Sequence, residues 1–480
     1  MKSTTYHEVL VPALDALIGN PELLTPSAET KKKADILAIP AHFIMRATEL
    51  RSEQSSRGEA CGELLKRFNL ILRNIHYDRK HICENGMEIT FIEDKNVTMV
   101  TKPSTHRGYE ITSSKVETIK AARLWQSKLT SNQSLAILTG DNSMSSLAYS
   151  EGFDVAHINP EIYTGRRKVV MPEEVYYAWQ SKSEMTAEKF KANFPDEKPL
   201  HINEFVEFMF APGVPFERNN YYNHIARFEP NNGQPVLRAI HHLREYKGRI
   251  YPRNAGQAML LEALMISADE VPIVICPGLF GTGKTFCTVA SAYFQTVEMG
   301  EHARYERIFV VPSEGSPGGR ELGALPGSKD EKIAPMIAPI KDNLYNYLRA
   351  KGDKAKGGKP KNRLDVMRDV ENALAKFFEL EALQYISGRS ITDSMIIYDE
   401  AQALERGQIK QLLTRIGSGS KMVCMGDPGQ VYNRHMNANS NGLSWASSKL
   451  EGNPYAIVVT LNPDEVERSK AAKAIAACIG

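Results

Sequence analysis

The chain has 480 residues, 42% of them hydrophobic and 24% charged, an ordinary globular composition but too long for one compact core, so two or more domains are expected. A net charge of +2 argues neither for nor against nucleic acid and leaves any basic surface local. The six cysteines are scattered with no C-x-x-C pair, the start Met1-Lys2-Ser3-Thr4-Thr5 lacks an apolar signal core, and no run approaches the roughly 18 apolar residues of a membrane span. Together these features predict a cytoplasmic protein without disulfides or zinc and without a membrane partner.

From residue 1 to about 165, short apolar runs (Val9 to Leu14, Ile36 to Ile39, Leu135 to Leu138) alternate with polar helical segments, and the last run leads into Thr139-Gly140-Asp141-Asn142. That alternation predicts an α/β domain. Residues 166 to 245 carry many aromatics and prolines (Pro212, Pro215, Pro230, Pro235) and read as an irregular connector packed on both neighbours. From 246 to 480 strands are expected at 273–276, 307–311, 395–398, 421–425 and 456–460, nearly continuous in Ile and Val as in a parallel sheet covered on both faces. Phe286, Val289, Ala290, Tyr293, Phe294 and Val297 recur at helical spacing after the first of these. Lys351 to Arg363 holds six basic residues and one acid with enough Gly and Pro to forbid a stable helix. It reads either as a solvated insertion or as a flexible arm for a phosphate backbone.

Gly278-Leu279-Phe280-Gly281-Thr282-Gly283-Lys284-Thr285 has a phosphate-binding loop's spacing at every fixed position. Glycines let successive N–H groups point at phosphates, and the following helix adds its positive end. Lys284 is placed to reach the β- and γ-phosphates and Thr285 to hold Mg²⁺. Asp399, at the end of the run Met395 to Tyr398, is the second Mg²⁺ residue, and Glu400 the group that activates the attacking water. In Gly426-Asp427-Pro428-Gly429-Gln430, Asp427 and Gln430 are candidates to sense the γ-phosphate. Upstream, Asn254 and Gln257 lie in Pro252-Arg253-Asn254-Ala255-Gly256-Gln257, and the Gln257 amide offers the donor and acceptor that match adenine. The candidate nucleotide-binding residues are thus Gly278, Gly281, Thr282, Gly283, Lys284, Thr285, Phe286, Asn254, Gln257 and Asp427.

From about residue 248 onward the order of motifs resembles the ATPase domain of PhoH-like proteins. The strings are Pro252-Arg253-Asn254 with Gln257, the phosphate loop, Gly318 to Gly327, Glu331-Lys332, Gly388-Arg389-Ser390, Asp399 to Gln402, Leu413 to Gly417, Gly426 to Gln430, Ser440 to Leu443 and Glu467-Arg468-Ser469. The resemblance implies a RecA-like P-loop fold related to superfamily 1 helicases and ATP hydrolysis with Mg²⁺. It also implies coupling to RNA or single-stranded nucleic acid and a closed ring, expected to be hexameric. Only 50 residues follow Gln430, so a stabilising arginine is expected from a neighbouring subunit, with Arg415 and Arg468 as candidates.

The first 165 residues more faintly resemble PIN nuclease domains through Leu14-Asp15, Ile39-Pro40, Thr139-Gly140-Asp141 and Tyr163-Thr164-Gly165. That resemblance implies a Mg²⁺ site from Asp15, Glu49, Glu117 and Asp141. Leu17 stands where such domains carry Asn, and Met45 or Arg46 where they carry Glu. The departures imply a degenerate domain kept for assembly or RNA contact, with RNA cleavage as the alternative.

Overall fold

The computed structural model describes residues 7–26, 34–52, 56–74, 80–92, 104–106, 109–111, 113–129, 133–157, 162–210, 221–231, 234–311, 329–354, 362–380, 383, 390–431, 438 and 441–467. The chain divides into two compact units, Met1–Glu161 and Ile162–Gly480. The division falls slightly before the expected one. Tyr163, Thr164 and Gly165, whose resemblance points to the N-terminal domain, belong to the second unit.

The first unit contains β1 (Val9–Pro12), β2 (Ile36–Pro40), β3 (Lys80–Ile82), β4 (Glu88–Ile92), β5 (Ser104–His106), β6 (Tyr109–Ile111), β7 (Leu135–Thr139) and β8 (Asp154–His157). Six of them form a sheet in the order β3-β4-β2-β1-β7-β8, parallel except for β3, while β5 and β6 pair separately. Alternate side chains of β1 enter different cores. Leu10 packs with Phe43, Phe68 and Leu138 on one face, and Val9 and Val11 with Ile119, Ala122 and Ile137 on the other. A strand covered on both faces has no polar side to show, which is why these runs lack alternation.

The second unit begins with β9 (Arg166–Met171), β10 (Glu184–Thr186), β11 (Phe205–Phe210), β12 (Ile225–Glu229) and β13 (Val236–Ala239). They form a mixed sheet in the order β10-β13-β12-β11-β9, so the described residues between 166 and 245 make a folded layer rather than an irregular connector. Trp179, Phe190, Phe194 and Phe208 fill its core. These four are among the aromatics that give the stretch its connector-like texture.

A second sheet follows: β14 (Ile273–Pro277), β15 (Arg307–Val311), β16 (Phe378–Leu380), β17 (Ser394–Tyr398), β18 (Lys421–Gly426) and β19 (Ala456–Val458). Its order is β16-β15-β17-β18-β14-β19, and every pairing is parallel. All five expected strands are present. β14 lies between β18 and β19, so the chain reverses direction across the sheet there. The carboxyl ends of strands at such a reversal form the usual ligand crevice. The helix Lys284–Tyr293 follows β14, buries Val289 and Ala290, and passes into a π-helical turn at Phe294–Glu298.

One expectation about the basic stretch fails. The helix Lys329–Lys354 runs through Gly352, and the helix Arg363–Phe377 starts at Arg363, capped by Asn362. Burial of Ile340, Leu344 and Tyr347 outweighs the roughly 1 kcal/mol that one helical glycine costs. Residues 355–361 lie outside the described residues.

Candidate active site

β14 ends at Pro277 and the chain turns at once into the loop Gly278 to Thr285. Gly281 and Gly283 adopt φ of 85° and 90°, where a side chain would be strained. Gly278 has a different reason to be glycine: an added Cβ would lie 2.9 Å from the Leu461 Cβ. The Lys284 side chain is buried and its ammonium donates to the carbonyls of Gly278 (2.7 Å) and Leu279 (2.9 Å). The lysine therefore lies folded along the loop's own backbone. Thr282 is buried with its hydroxyl on the Leu279 carbonyl, and Phe286 packs its ring against the hydrophobic core.

Thr285 and Asp399 meet. The Thr285 hydroxyl donates to the Asp399 carboxylate at 2.8 Å, although 114 positions separate them. Asp399 stands just past β17, and the register β14-β18-β17 brings the ends of those strands to one edge. Burial pushes the Asp399 carboxyl above the usual range. The Thr285 hydrogen bond pulls it back, the Glu400 charge pushes it up again, and the Lys284 ammonium opposes. A hydroxyl and a carboxylate side by side are hard oxygen donors, the set Mg²⁺ takes. The residues fit the ion.

Glu400 has φ of 60°, the left-handed region that non-glycine residues rarely occupy. Its N–H donates to Asp399 Oδ1 at 3.0 Å, closing a sharp turn. The Glu400 side chain is held by Gln402, a residue the sequence reading did not single out. Gln402 is 1% exposed. Its Nε2 donates to Glu400 Oε2 at 2.5 Å and to the Gln430 carbonyl at 3.3 Å, and its Oε1 accepts the Asp427 N–H at 3.1 Å. Gly426 leaves the room, since an added Cβ would sit 2.0 Å from Gln402 Oε1. The signal available in the sequence was the fixed place of Gln402 in Asp399-Glu400-Ala401-Gln402.

Asp427, expected as a phosphate sensor, is buried and accepts from the Phe280 N–H (2.9 Å) and the Gly429 N–H (3.0 Å). It thereby ties the end of β18 to the phosphate loop. The Gln430 N–H donates to the Asp427 carbonyl. Gln257 corrects the expectation placed on it. Its Nε2 donates to the Thr282 carbonyl at 2.9 Å and its Oε1 accepts the Arg253 N–H at 3.0 Å, so the buried amide supports the loop instead of facing a base. Asn254 caps the helix Ala255–Met265, accepting from the Gln257 N–H.

Arg415 is remote from this edge. Its carbonyl accepts from the Ile391 N–H, three residues before β17 begins, at the opposite edge of the sheet, and its Nε is buried without a partner. Arg468 lies outside the described residues, as do Gly318 to Gly327, Gly388-Arg389 and Ser440.

In the first unit, Asp15 follows β1 and Asp141 follows β7, the neighbouring strand. Asp15 accepts from the Thr139 hydroxyl and the Gly140 N–H, and burial raises its carboxyl, with the Asp141 charge adding to the rise against those bonds. Burial also disfavours the charged form of Asp141. Hydrogen bonds from Ser143 and the Met144 N–H, with Lys115 at 3.3 Å, outweigh that effect and hold its carboxyl below the usual range. Glu117 is paired with His42, and Glu49 with Arg46 at 2.6 Å on an exposed helix surface. Among the described residues, no three of Asp15, Glu49, Glu117 and Asp141 bring ligand atoms within 4.8 Å of one another. Three of the four carboxylates are paired with a basic side chain of the same unit, so this donor set does not fit a metal.

Among the described residues no helix is long and apolar enough to cross a membrane. The parallel sheet, its glycine-rich loop and the Thr285–Asp399 pair define a P-loop NTPase fold. Residues 249–480 match the family described as PhoH-like protein, and the chain carries a PhoH domain there. The protein PhoH2 of Bacillus subtilis is 32% identical over 305 residues, 63% of this chain and 62% of that protein. The PhoH-like protein of Synechocystis is 30% identical over 196 residues, 41% of this chain and 53% of the relative. The chain thus spans less than two thirds of the length of these relatives. Among solved structures, PRRSV helicase aligns with 52% of this chain and 43% of its own at 10% identity and a TM-score of 0.18, too low to bear on the fold.

Proposed function

We propose that the chain is an ATP hydrolase whose turnover is coupled to RNA or single-stranded nucleic acid, working as a ring of identical subunits, expected to be a hexamer. The observation that carries the hydrolase reading is the Thr285–Asp399 hydrogen bond beside the Lys284 ammonium. Loop N–H groups and the start of the helix Lys284–Tyr293 bind phosphate. Lys284 exchanges two carbonyl partners for phosphate oxygens. Thr285 and Asp399 hold Mg²⁺, which neutralises phosphate charge when bound. Glu400, its carboxylate steadied by Gln402, accepts the proton of the attacking water. A binding switch has no use for that group, so Glu400 favours turnover.

Nucleic-acid coupling rests on the family and on the basic residues around 351–363. A ring gives Arg415 a use, since its own sheet edge faces away from its own phosphate loop; Arg468 is the other candidate to act on a neighbour's site. For the first unit, the carboxylates already paired with basic side chains favour assembly or RNA contact over cleavage.

The deciding measurement is ATP hydrolysis with and without RNA by the wild type, Lys284→Ala and Glu400→Gln. The wild type is expected to hydrolyse ATP, with the rate falling about 10²–10⁴-fold in Glu400→Gln. Absence of hydrolysis by the wild type under every condition would leave a nucleotide-switched assembly module in its place.

A further inference from the structure

The segment after β19 runs along the phosphate loop. Leu461 bridges Gly278 and donates its N–H to the Pro277 carbonyl at 2.9 Å. The Glu467 N–H donates to the Gly281 carbonyl at 2.9 Å. Between them stands Glu465, a carboxylate 7% exposed and fully engaged. Its Oε1 accepts the Gly256 N–H and its Oε2 the Asn462 N–H, both at 2.7 Å. Its backbone carbonyl accepts from Asn254 Nδ2 at 3.1 Å. Gly256 and Asn254 open the helix whose Gln257 holds the Thr282 carbonyl. A Cβ at Gly256 would lie 2.4 Å from Glu465 Oε2, so the glycine is the space this carboxylate needs.

Glu465 is gripped from the other side by Arg166, the first residue of β9. Arg166 Nη1 lies 2.9 and 2.8 Å from the two Glu465 oxygens, and its Nη2 donates to Glu207 of β11 at 2.7 Å. The arginine is itself buried. Its strand is seated on β19 beside it: the Thr460 N–H donates to the Thr164 carbonyl, and a Cβ on Gly165 would lie 1.7 Å from the Val458 carbonyl oxygen. A buried guanidinium shared by two carboxylates is rigid and is not replaced by a point-charge ammonium without loss of one contact.

We infer that Glu465, clamped by Arg166, is the positioning residue that sets the shape of the phosphate loop, so that nucleotide affinity depends on the five-stranded sheet. The inference rests on the nucleotide-hydrolase reading for its functional consequence but not for its structural one. Neither residue reaches phosphate. They act through Asn254 and Gln257 at Thr282 and through the backbone of residues 461–467 at Gly281. Loss of the clamp therefore loosens binding and leaves the Thr285–Asp399–Glu400 group in place.

The test measures amide hydrogen exchange of nucleotide-free protein and steady-state kinetics in Arg166→Met, Arg166→Lys, Glu465→Gln and the control Arg167→Met. Arg167 leaves the same strand for Glu204 and the Lys198 carbonyl, away from the loop. In Arg166→Met and Glu465→Gln, amides of 278–285 are expected to exchange about tenfold faster while those of 395–398 stay protected. The KM for ATP is expected to rise about tenfold with kcat within about twofold, and Arg166→Lys to fall between. Unchanged loop exchange in Arg166→Met and Glu465→Gln overturns the inference. So does equal loosening in Arg167→Met, or protection lost alike at 395–398. A wild type that hydrolyses no ATP sinks the proposed function, and loop exchange still decides the clamp.

Discussion

Gln402 holds Glu400 by one end of its amide and Asp427 by the other, at 2.5 and 3.1 Å. Glu400, proposed to activate water, and the residue that bonds the phosphate loop's Phe280 N–H are therefore joined through one buried side chain. Gln402→Ala frees the Glu400 carboxylate to rotate without touching Lys284 or Thr285. A fall in kcat of about tenfold with little change in KM is expected from steady-state kinetics. A rise in KM with kcat preserved would place Gln402 in binding instead.

Asp399→Asn should separate stability from activity. Its buried carboxyl is raised, so the folded state holds the proton more tightly than the unfolded one. Below the unfolded carboxylate pKa of about 3.9 both states are protonated and the charge costs nothing. As pH rises through the raised folded value, the cost of the buried charge appears and stays. The amide avoids it, with Thr285 accepting where it now donates. Thermal melts are expected to show the Asp399→Asn variant more stable near neutrality, the gain shrinking as pH falls towards 4, with ATP turnover lost.

Gly283→Ala tests the loop geometry. The residue has φ of 90°, and a Cβ would lie 2.6 Å from Gln257 Nε2, the atom that holds Thr282. The strain is on the order of 1–2 kcal/mol and falls on the loop alone. Titration with a non-hydrolysable ATP analogue should show about tenfold weaker binding, at a melting temperature lowered only slightly.

In the first unit, Asp141 caps the helix Asn142–Ser150 and pairs with Lys115. Its folded carboxyl is depressed, so the stability it supplies is complete above about pH 4 and lost as pH falls through the folded value. Removing the cap with Asp141→Ala should cost roughly 1 kcal/mol at pH 7. The difference between the two proteins, followed by unfolding, should be constant from pH 7 to about pH 4 and narrow as pH falls further. A gap that does not narrow at all in acid would mean the carboxylate charge is not what stabilises the cap.

The motifs of the candidate site were legible because each is local. A glycine-rich turn after a strand, an acid pair at the end of another, and a third turn after a third strand each carry their meaning within a few residues. Strand identity in the parallel sheet was legible for the same reason, since burial on both faces writes itself as unbroken apolar runs. The mixed sheet formed between residues 166 and 239 was missed because its strands are only three to six residues long, carry charged residues among the apolar ones, and are separated by stretches rich in proline.

The sequence by itself marked the glycine-rich loop, the acid pair Asp399-Glu400 and the turn at Asp427 as the candidate site, because each is a pattern of residue type and near-neighbour spacing. Only the tertiary structure decided that Gln257 supports Thr282 instead of reading a base, that Gln402 joins Glu400 to Asp427, and that Arg166 grips Glu465 across 299 positions. A buried amide or carboxylate must spend its hydrogen bonds on whatever the packing brings to it. Which group that is depends on how two sheets and a helix meet, and no stretch of the chain contains that information alone.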